Sequence, residues 1–357
     1  MMTVDLDNPQ NYKEPGVEEI LGHLRQFPEQ CLRAWEQALR LDLPQDYREI
    51  DKVVILGIGG SAIGGEIASR LVMEESQIPV WVHRDYGLPI TPDDKTLVIA
   101  SSYSGNTEET LSGFTQSLET PAKKIVVTTG GRLKQLAEEN NIPGFIIDYK
   151  APPRMAFPHS FISLVGIFQK QGLLEDKTAD IEEMLVILKR LRDDYIETAP
   201  FASNQAKQLA TRLYGHIVVV YGGGALSAVA RRWKAQFNEN GKSWAFFEIL
   251  PELNHNAVVG YRFPSEIKYK IFVVLLRSAL LHTRFLRHYE ASTELMAREE
   301  IKHESVDAAG KSALTQMMSL VLLGDYLTCY LAVLNRTDPA SLDAVDFVKS
   351  YLARYTD

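Results

Sequence analysis

The sequence predicts an α/β fold with two doubly wound, flavodoxin-like parallel-sheet domains. Short apolar segments alternate with amphipathic helical segments, which is typical of parallel strands covered on both faces. The alternation also occurs twice, because a strand that leads into a glycine-rich turn and a helix is found at residues 52–65 and again at residues 216–224. We therefore expect two α/β domains of similar plan, with additional helices at both ends of the chain.

The first part of the chain contains a helical segment and then the first domain. Residues 1–45 have helical patterns, with an apolar face through Ile20, Leu24, Leu32 and Trp35. Residues 46–151 are expected to form the first α/β domain. Its strands are expected at 52–57, 80–83, 95–101, 124–130 and 144–148, and its helices at 61–74, 106–118 and 132–140.

The second part repeats this plan after an interruption. Prolines at 152, 153 and 158 end the first pattern, and residues 152–200 are expected to be a mostly helical connection. The second α/β domain is expected at 201–335. Its strands are expected at 216–224 and 270–276, and its helices at 205–213, 228–241, 283–298 and 312–335. Residues 336–357 contain a last helix, expected at 343–354.

Composition argues against several classes of protein. The chain has 357 residues, of which 45% are apolar and 24% charged, and this is typical of a globular protein with a large core. Its net charge of −8 argues against nucleic acid as a partner. Apolar stretches such as 271–276 are much shorter than the roughly 20 residues of a membrane span, so no membrane partner is expected. Without a secretory segment, Cys31 and Cys329 are expected to be reduced thiols of a cytoplasmic protein.

The first candidate binding loop is the glycine-rich turn 57–65. Glycines let backbone amides approach an anion closely, and the following helix N-terminus favours negative charge. A dinucleotide site would need a third glycine and an acidic residue after the second strand. Gly57 and Gly59 fit that pattern, Ala62 stands at the third position, and Asp85 is the candidate acid. A tight βα turn that binds nothing is the plain alternative.

The second candidate loop, 101–109, follows the third expected strand. It contains five hydroxyl side chains and a glycine before a helix, a set that suits a terminal phosphate monoester. If the strand order is flavodoxin-like, both loops flank one crevice. The alternative is that Ser104 or Asn106 only caps the helix, with Glu109 completing a capping box.

These loops resemble those of a known family. Gly59-Gly60-Ser61 together with the segment 102–107 resembles a sugar isomerase (SIS) domain. Over nearly the whole chain after residue 45, the sequence resembles the bifunctional phosphoglucose/phosphomannose isomerases. The matching motifs are Pro153-Arg154, Phe237-Asn238-Glu239, Pro251–Asn256, Leu323–Tyr326, Asp338-Pro339 and Lys349. The resemblance implies SIS-type domains and a metal-free isomerase, with no cofactor, that interconverts glucose 6-phosphate, and mannose 6-phosphate too, with fructose 6-phosphate.

The resemblance also implies a role for each matching residue. The implied phosphate-binding residues are Gly60, Ser61, Ser102, Ser104 and Thr107. Glu239 matches the base that moves a proton between C1 and C2, and Arg154 matches the arginine near those carbons. His255 matches a histidine that assists ring opening and comes from the neighbouring subunit, so a homodimer is implied. Lys349 matches a lysine near the ring oxygen, in a last helix that completes the active site.

One position departs from the family pattern. Bifunctional members have a small hydroxyl residue one or two helical turns before the last lysine, which leaves room beside substrate C2. Ser341 is the candidate for this role, but Leu342 occupies the expected spacing. The sequence therefore leaves open which of the two lies beside C2.

The reaction itself needs the same types of side chain. Moving a proton through a cis-enediolate needs a carboxylate base, a fixed cation for the enediolate oxygens, and a separate acid–base group for ring opening. Glu239, Arg154 and His255 are of these types, although without the resemblance each is equally a surface, turn or loop residue. The sequence contains neither a His-Glu-x-x-His nor a paired-cysteine motif, so no metal site is expected.

Three alternative functions remain open from the sequence. The first is a non-catalytic sensor that binds a phosphosugar in the same loops. The second is an isomerase of another sugar phosphate. The third is a nicotinamide-dependent dehydrogenase that uses Gly57 and Asp85.

Overall fold

The computed structural model describes residues 4–355 and contains two parallel sheets surrounded by helices. The strands are β1 (Lys52–Leu56), β2 (Val80–His83), β3 (Thr96–Ser101), β4 (Lys123–Thr128), β5 (Gly144–Ile146), β6 (Ile217–Gly223), β7 (Ala245–Leu250), β8 (Ile271–Arg277) and β9 (Lys302–Asp307). The helices are α1 (Pro15–Arg25), α2 (Phe27–Arg40), α3 (Gly59–Glu75), α4 (Glu108–Leu118), α5 (Gly131–Glu139), α6 (Phe157–Lys170), α7 (Thr178–Tyr195), α8 (Gln205–Leu213), α9 (Leu226–Glu239), α10 (Ser265–Lys268), α11 (Thr283–Arg298), α12 (Ala313–Asn335) and α13 (Asp343–Leu352). Short 3-10 helices cover Pro9–Tyr12, Gln45–Arg48, Glu252–His255 and Ala257–Arg262.

The first sheet has the order β2-β1-β3-β4-β5, and every neighbouring pair is parallel. This is the flavodoxin-like order that the sequence predicts. Leu56 at the end of β1 is paired with Ala100 near the end of β3, so the two candidate loops leave the sheet side by side. The second sheet has the order β7-β6-β8-β9 and is also parallel. The predicted fold class, two doubly wound α/β domains with extra terminal helices, is confirmed.

Two strands of the second sheet were missing from the sequence-based prediction. Both β7 and β9 are edge strands, so each is paired on one side only. The sequence of β9, Lys-His-Glu-Ser-Val-Asp, has only one buried residue, Val306. An edge strand of this composition carries little apolar periodicity, and its conformation depends on pairing with β8.

The predicted apolar face of the N-terminal helices is wrong at one position. The side chain of Leu32 is 37% exposed. The buried face of α2 instead passes through Cys31, Ala34, Trp35 and Ala38, which follow the three- and four-residue spacing of a helix. The thiols of Cys31 and Cys329 are both buried, and burial raises the pKa of each.

Helix α12 lies at the centre of the molecule. Residues 314–334 are all buried, and the helix packs against α1, α7, α8 and α9. By length and composition alone it is apolar enough to cross a membrane, with a mean hydropathy of 1.7, and the whole of that apolar window is buried inside the protein. The expectation that the longest apolar stretches are short is therefore wrong for this segment. One of the polar networks around α12, centred on Asp325, leads to the candidate site.

His159 of α6 is a buried histidine whose two ring nitrogens have no hydrogen-bond partner within the described chain. Its ring stacks on Tyr149, with 5.1 Å between the ring centroids. Burial, with a smaller contribution from the positive charge of Arg33, lowers the pKa of His159 to about 4. The imidazole is therefore neutral in the folded protein at neutral pH.

This burial predicts a loss of stability in acid. Unfolded His159 gains its proton near pH 6.5, whereas the folded protein resists protonation until about pH 4. Between these values the free energy of unfolding falls by up to about 3 kcal/mol from this one group, and above pH 6.5 there is no loss. His159→Phe keeps a ring on Tyr149 and removes the titration. Urea unfolding at pH 7.5 and pH 4.5 should show a smaller acid loss in the variant, and an equal loss in both proteins would contradict the prediction.

Candidate active site

The helix after the second candidate loop has no side-chain cap. Thr107 is the N-cap residue of α4, and it makes no side-chain bond to the backbone of its own helix. Ser104 Oγ accepts from the Asn106 backbone N–H, and Asn106 Oδ1 accepts from the Arg132 N–H instead of capping α4. The capping alternative is therefore wrong. The N-terminal amides of α4 are left available to an anion.

The hydroxyl residues of the two loops form one cluster. Ser102 and Thr107 share a hydrogen bond of 2.8 Å between their hydroxyl oxygens, and Ser102 Oγ accepts from the Gly105 N–H at 3.1 Å. The Tyr103 N–H donates to Ser61 Oγ at 3.1 Å, which joins the loop after β3 to the start of α3. Ser61 and Ser102 are buried, while Ser104 is exposed. The structure thus brings Ser61, Ser102 and Thr107 together, with Ser104 at the outer side.

Arg154 is held next to these loops. It lies in the turn before α6, where the Met155 N–H donates to Pro152 O. A Cβ atom at Gly60 would lie 3.4 Å from Pro153 O and 3.6 Å from Arg154 Cα, so the start of α3 lies within van der Waals range of the Arg154 turn. The Tyr103 hydroxyl donates to Tyr149 O and accepts from the Ala151 N–H, which fixes the chain that leads into this turn. The phosphate loops and the Arg154 turn therefore form one connected unit.

The guanidinium of Arg154 has one free nitrogen that points toward a carboxylate. Its Nε donates to Asn240 Oδ1 at 2.7 Å, and its Nη2 donates to Pro339 O at 2.6 Å. Its Nη1 has no hydrogen-bond partner within the described chain and lies 3.8 Å from Glu239 Oε2. The side chain of Arg154 is 2% exposed, and that of Glu239 is 35% exposed. Burial lowers the pKa of Arg154, and the negative charge of Glu239 opposes this shift.

Helix α9 explains why Glu239 occupies this position. Its residues Arg232 and Gln236, and Asn240 directly after its end, are buried next to α12. Glu239 is the last residue of the helix and lies at the edge of this buried group, half open to solvent. A carboxylate held there is reachable by a small substrate while it remains beside Arg154.

A buried polar network connects α12 to the backbone of Arg154. Asp325 of α12 accepts from Arg232 Nη2 at 2.7 Å and from Gln236 Nε2 at 2.8 Å. Arg232 Nη2 also donates to Arg154 O at 3.3 Å, and its guanidinium lies 4.0 Å from the ring centroid of Phe157. Burial raises the pKa of Asp325, and the charge of Arg232 opposes the shift. No role was predicted for Asp325 or Arg232, although Asp325 is the one acidic residue within the apolar segment 313–335, which is a detectable signal.

A further cation next to Glu239 also escaped sequence reasoning. Lys242 Nζ donates to Glu239 O at 2.6 Å and to Ser341 O. Partial burial and the positive charge of Arg154 lower the pKa of Lys242. The backbone of Lys242 is in the left-handed region, with φ of 51°. Sequence alone gives no sign of these contacts, because Lys242 and Ser341 are far apart in the chain.

Within the protomer, His255 and Lys349 do not contact Arg154 or Glu239. His255 is exposed in the 3-10 helix after β7, and Lys349 is exposed on α13. Within residues 4–355, neither forms a hydrogen bond or ion pair with Arg154 or Glu239. Helix α13 has no buried residue, and its apolar side chains are open to solvent, with Phe347 68% exposed. In residues 4–355, no group of three or more His, Cys, Asp or Glu side chains is arranged to hold a metal ion.

Comparison with known proteins identifies relatives over most of the chain. Residues 202–352 match the family described as the bacterial phospho-glucose isomerase C-terminal SIS domain. A bifunctional phosphoglucose/phosphomannose isomerase of Caldicellulosiruptor bescii is 40% identical over 93% of this chain and 98% of that protein. A D-glucosamine-6-phosphate 4-epimerase of Sulfolobus acidocaldarius is 33% identical over 64% of this chain and 69% of that protein. The structure of a hypothetical protein of Thermus thermophilus superposes with a TM-score of 0.73 at 19% identity, covering 97% of this chain and 92% of that one.

Proposed function

Because the chain belongs to the family of bifunctional phosphoglucose/phosphomannose isomerases, we propose that it interconverts glucose 6-phosphate and mannose 6-phosphate with fructose 6-phosphate. The chain is then an aldose–ketose isomerase, an intramolecular oxidoreductase. The observation that carries this proposal is the free, buried Nη1 of Arg154 placed 3.8 Å from Glu239 Oε2. A carboxylate beside an unsatisfied guanidinium supplies both a base and a stabiliser for the charge that the base creates.

In the proposed chemistry, the Glu239 carboxylate takes the proton from C2 of the open-chain aldose. The electron pair of the broken C–H bond forms the C1–C2 double bond of a cis-enediolate, and the C1 carbonyl oxygen gains negative charge. Arg154 Nη1 donates to the enediolate oxygen. The proton of the C2 hydroxyl moves to the negatively charged O1, Glu239 returns its proton to C1, and the C2–O bond becomes the carbonyl of the ketose. The other nitrogens of Arg154 are held by Asn240 and Pro339, so the guanidinium needs little reorganisation.

We propose that the hydroxyl cluster binds the substrate phosphate. The uncapped start of α4 and the hydroxyls of Ser61, Ser102 and Thr107 supply donors in one small volume, with Gly60 and Ser104 at its border. These loops contact the turn that holds Arg154, so a bound phosphate is kept at a fixed distance from the reacting carbons. A fixed distance of this kind favours turnover as well as binding.

We propose a homodimer in which His255 reaches the site of the neighbouring subunit and opens the sugar ring. His255 is exposed on the protomer, so its side chain is accessible to a second subunit. The exposed apolar face of α13 also supports assembly, since Phe347 and Tyr351 are unpacked within one protomer. In this dimer Lys349 lies near the ring oxygen. The roles of His255 and Lys349 stay predictions for variants to test.

We propose further that Ser341 borders C2 and permits both epimers to react. The domain limits at 46–151 and 201–335 are also proposals, supported by the one sheet found in each. We also propose that the protein acts in cytoplasmic carbohydrate metabolism, in glycolysis or gluconeogenesis, because hexose 6-phosphates are its proposed substrates.

A coupled assay on EDTA-treated protein with fructose 6-phosphate tests the proposal. We expect both glucose 6-phosphate and mannose 6-phosphate to form, at rates that EDTA leaves unchanged. Glucose 6-phosphate alone would place Leu342 rather than Ser341 beside C2. No turnover with phosphosugar binding intact would favour the sensor. Glucosamine 6-phosphate is assayed in parallel, because a relative acts on that sugar, and its preferential conversion would favour another sugar phosphate as substrate.

A further inference from the structure

Two cations of the candidate site hold three consecutive backbone carbonyls. Arg154 Nη2 donates to Pro339 O at 2.6 Å and approaches Ala340 O at 3.4 Å. Lys242 Nζ donates to Ser341 O. We call the segment 339–341 the C-terminal strap. It connects α12 to α13 and crosses the end of α9, where Glu239 lies.

The strap and the candidate base share the same two partners. Arg154 Nη1 is 3.8 Å from Glu239 Oε2, and Lys242 Nζ is 2.6 Å from Glu239 O. The strap is therefore fixed against the end of α9 from two sides. Helix α13, which follows it, has no buried residue, so the packing of α13 in the protomer does not supply this constraint.

The simplest alternative is that Lys242 only caps the C-terminus of α9. A lysine that bonds a carbonyl in the last turn of its own helix stabilises that helix, and the bond to Glu239 O is of this type. The bond to Ser341 O is not, because it joins residues 99 positions apart in sequence. The left-handed backbone of Lys242 is common just after a helix C-terminus, so only the bond to Ser341 O distinguishes the two interpretations.

Epimer choice depends on the space beside the base. Glu239 delivers its proton from one side, so glucose and mannose phosphate arise only if C2 presents either of its faces to the carboxylate. The sugar chain must therefore rotate in the space beside Glu239, and the protein segment that borders this space decides how freely it does so. The C-terminal strap is held near Glu239 by charge-assisted bonds from Arg154 and Lys242. Ser341 is the last residue of the strap.

We propose that Lys242 is a positioning residue for substrate specificity, which holds the C-terminal strap beside Glu239 and so sets the ratio of mannose to glucose 6-phosphate formed. This inference rests on the proposed isomerase function. Lys242 touches the strap and the backbone of the base, and it acts through them rather than on the reacting atoms.

The test compares three variants with wild-type protein. Lys242→Gly removes the ammonium and suits the left-handed backbone, so folding is preserved. Lys242→Met keeps the length of the side chain and removes its donors. Arg336→Gly is the matched control, because Arg336 also has a left-handed backbone, with φ of 54°, precedes the strap, and has no recorded side-chain hydrogen bond to the described residues. Initial rates of both products are measured from fructose 6-phosphate.

In both Lys242 variants we expect the ratio of mannose 6-phosphate to glucose 6-phosphate to change by about threefold to tenfold, in the direction of equal amounts. The reason is that a loosened strap no longer favours one face of C2. Arg336→Gly should keep the wild-type ratio. Equal losses of both products, with the ratio unchanged in both Lys242 variants, would overturn the inference and leave Lys242 as a cap. A wild-type protein that forms neither product would instead overturn the proposed function, so the two failures are distinguishable.

Discussion

Glu239→Gln is expected to lower kcat for fructose 6-phosphate by about 10²-fold to 10⁴-fold, the usual contribution of a general base. The amide has nearly the same size as the carboxylate but is not a proton acceptor of useful strength. Binding should change little, because the phosphate cluster of Ser61, Ser102 and Thr107 lies on the other sheet's loops. Turnover is measured by the coupled assay, and the Kd for fructose 6-phosphate by calorimetry.

The control for this variant is another carboxylate. Glu266→Gln changes an exposed residue of α10 for which no ion pair is recorded with the described residues, and it should keep wild-type kcat. A loss of turnover in Glu239→Gln that is matched by an equal loss of binding would point to a damaged site instead of a missing base. Retention of more than about a tenth of wild-type kcat would exclude Glu239 as the base, since general-base catalysis contributes at least about 10²-fold.

The central strands β1, β3 and β4 of the first sheet were predictable because they are almost entirely buried. The cores of β1 and β3, for example, are continuous apolar segments, and a glycine-rich or hydroxyl-rich loop follows each. The edge strands β7 and β9 were not predictable in the same way, since one of their sides has no partner and their side chains are largely polar or half exposed. Their conformation is decided by pairing, which a local pattern does not contain.

The candidate site was predictable only where a motif is local. Ser61, Ser102 and Thr107 follow strands that lie side by side, so their meeting follows from the strand order. The approach of Arg154 to Glu239 was implied by family resemblance, and the structure brings the two together at 3.8 Å. The residues that support them come from α12 and the segment after it, and no spacing rule connects such distant positions. Within the protomer, neither His255 nor Lys349 contacts Arg154 or Glu239, so the roles of these two residues stay predictions.

The support beneath Arg154 has a direct energetic consequence. Arg232 and Asp325 are each 2% exposed at their side chains, so neither charge is solvated by water. Their attraction and the bond from Gln236 offset the loss of hydration. Removing one partner leaves the other charge buried without compensation, and this costs more than the pair itself contributes.

Asp325→Ala is therefore expected to lower the free energy of unfolding by about 3–5 kcal/mol. Urea unfolding, followed by the fluorescence of Trp233 on the adjacent helix, measures the change at a fixed protein concentration. The matched control is Asp325→Leu combined with Arg232→Met, which replaces the pair by apolar side chains of similar volume. It should recover most of the lost stability, because no unpaired charge remains. A single variant as stable as wild type would mean that water reaches Arg232.

Activity should not recover together with stability in this double variant. Arg232 Nη2 donates to Arg154 O, and this bond fixes the turn that aims Arg154 Nη1 at Glu239. Without it, the turn keeps its own backbone bond from Met155 N–H to Pro152 O but loses this link to α9, and a displacement of about 1 Å is enough to weaken transition-state stabilisation. We therefore expect kcat to stay about tenfold or more below wild type, with KM for fructose 6-phosphate nearly unchanged. Full recovery of kcat would show that the buried pair stabilises the fold and has no part in orienting Arg154.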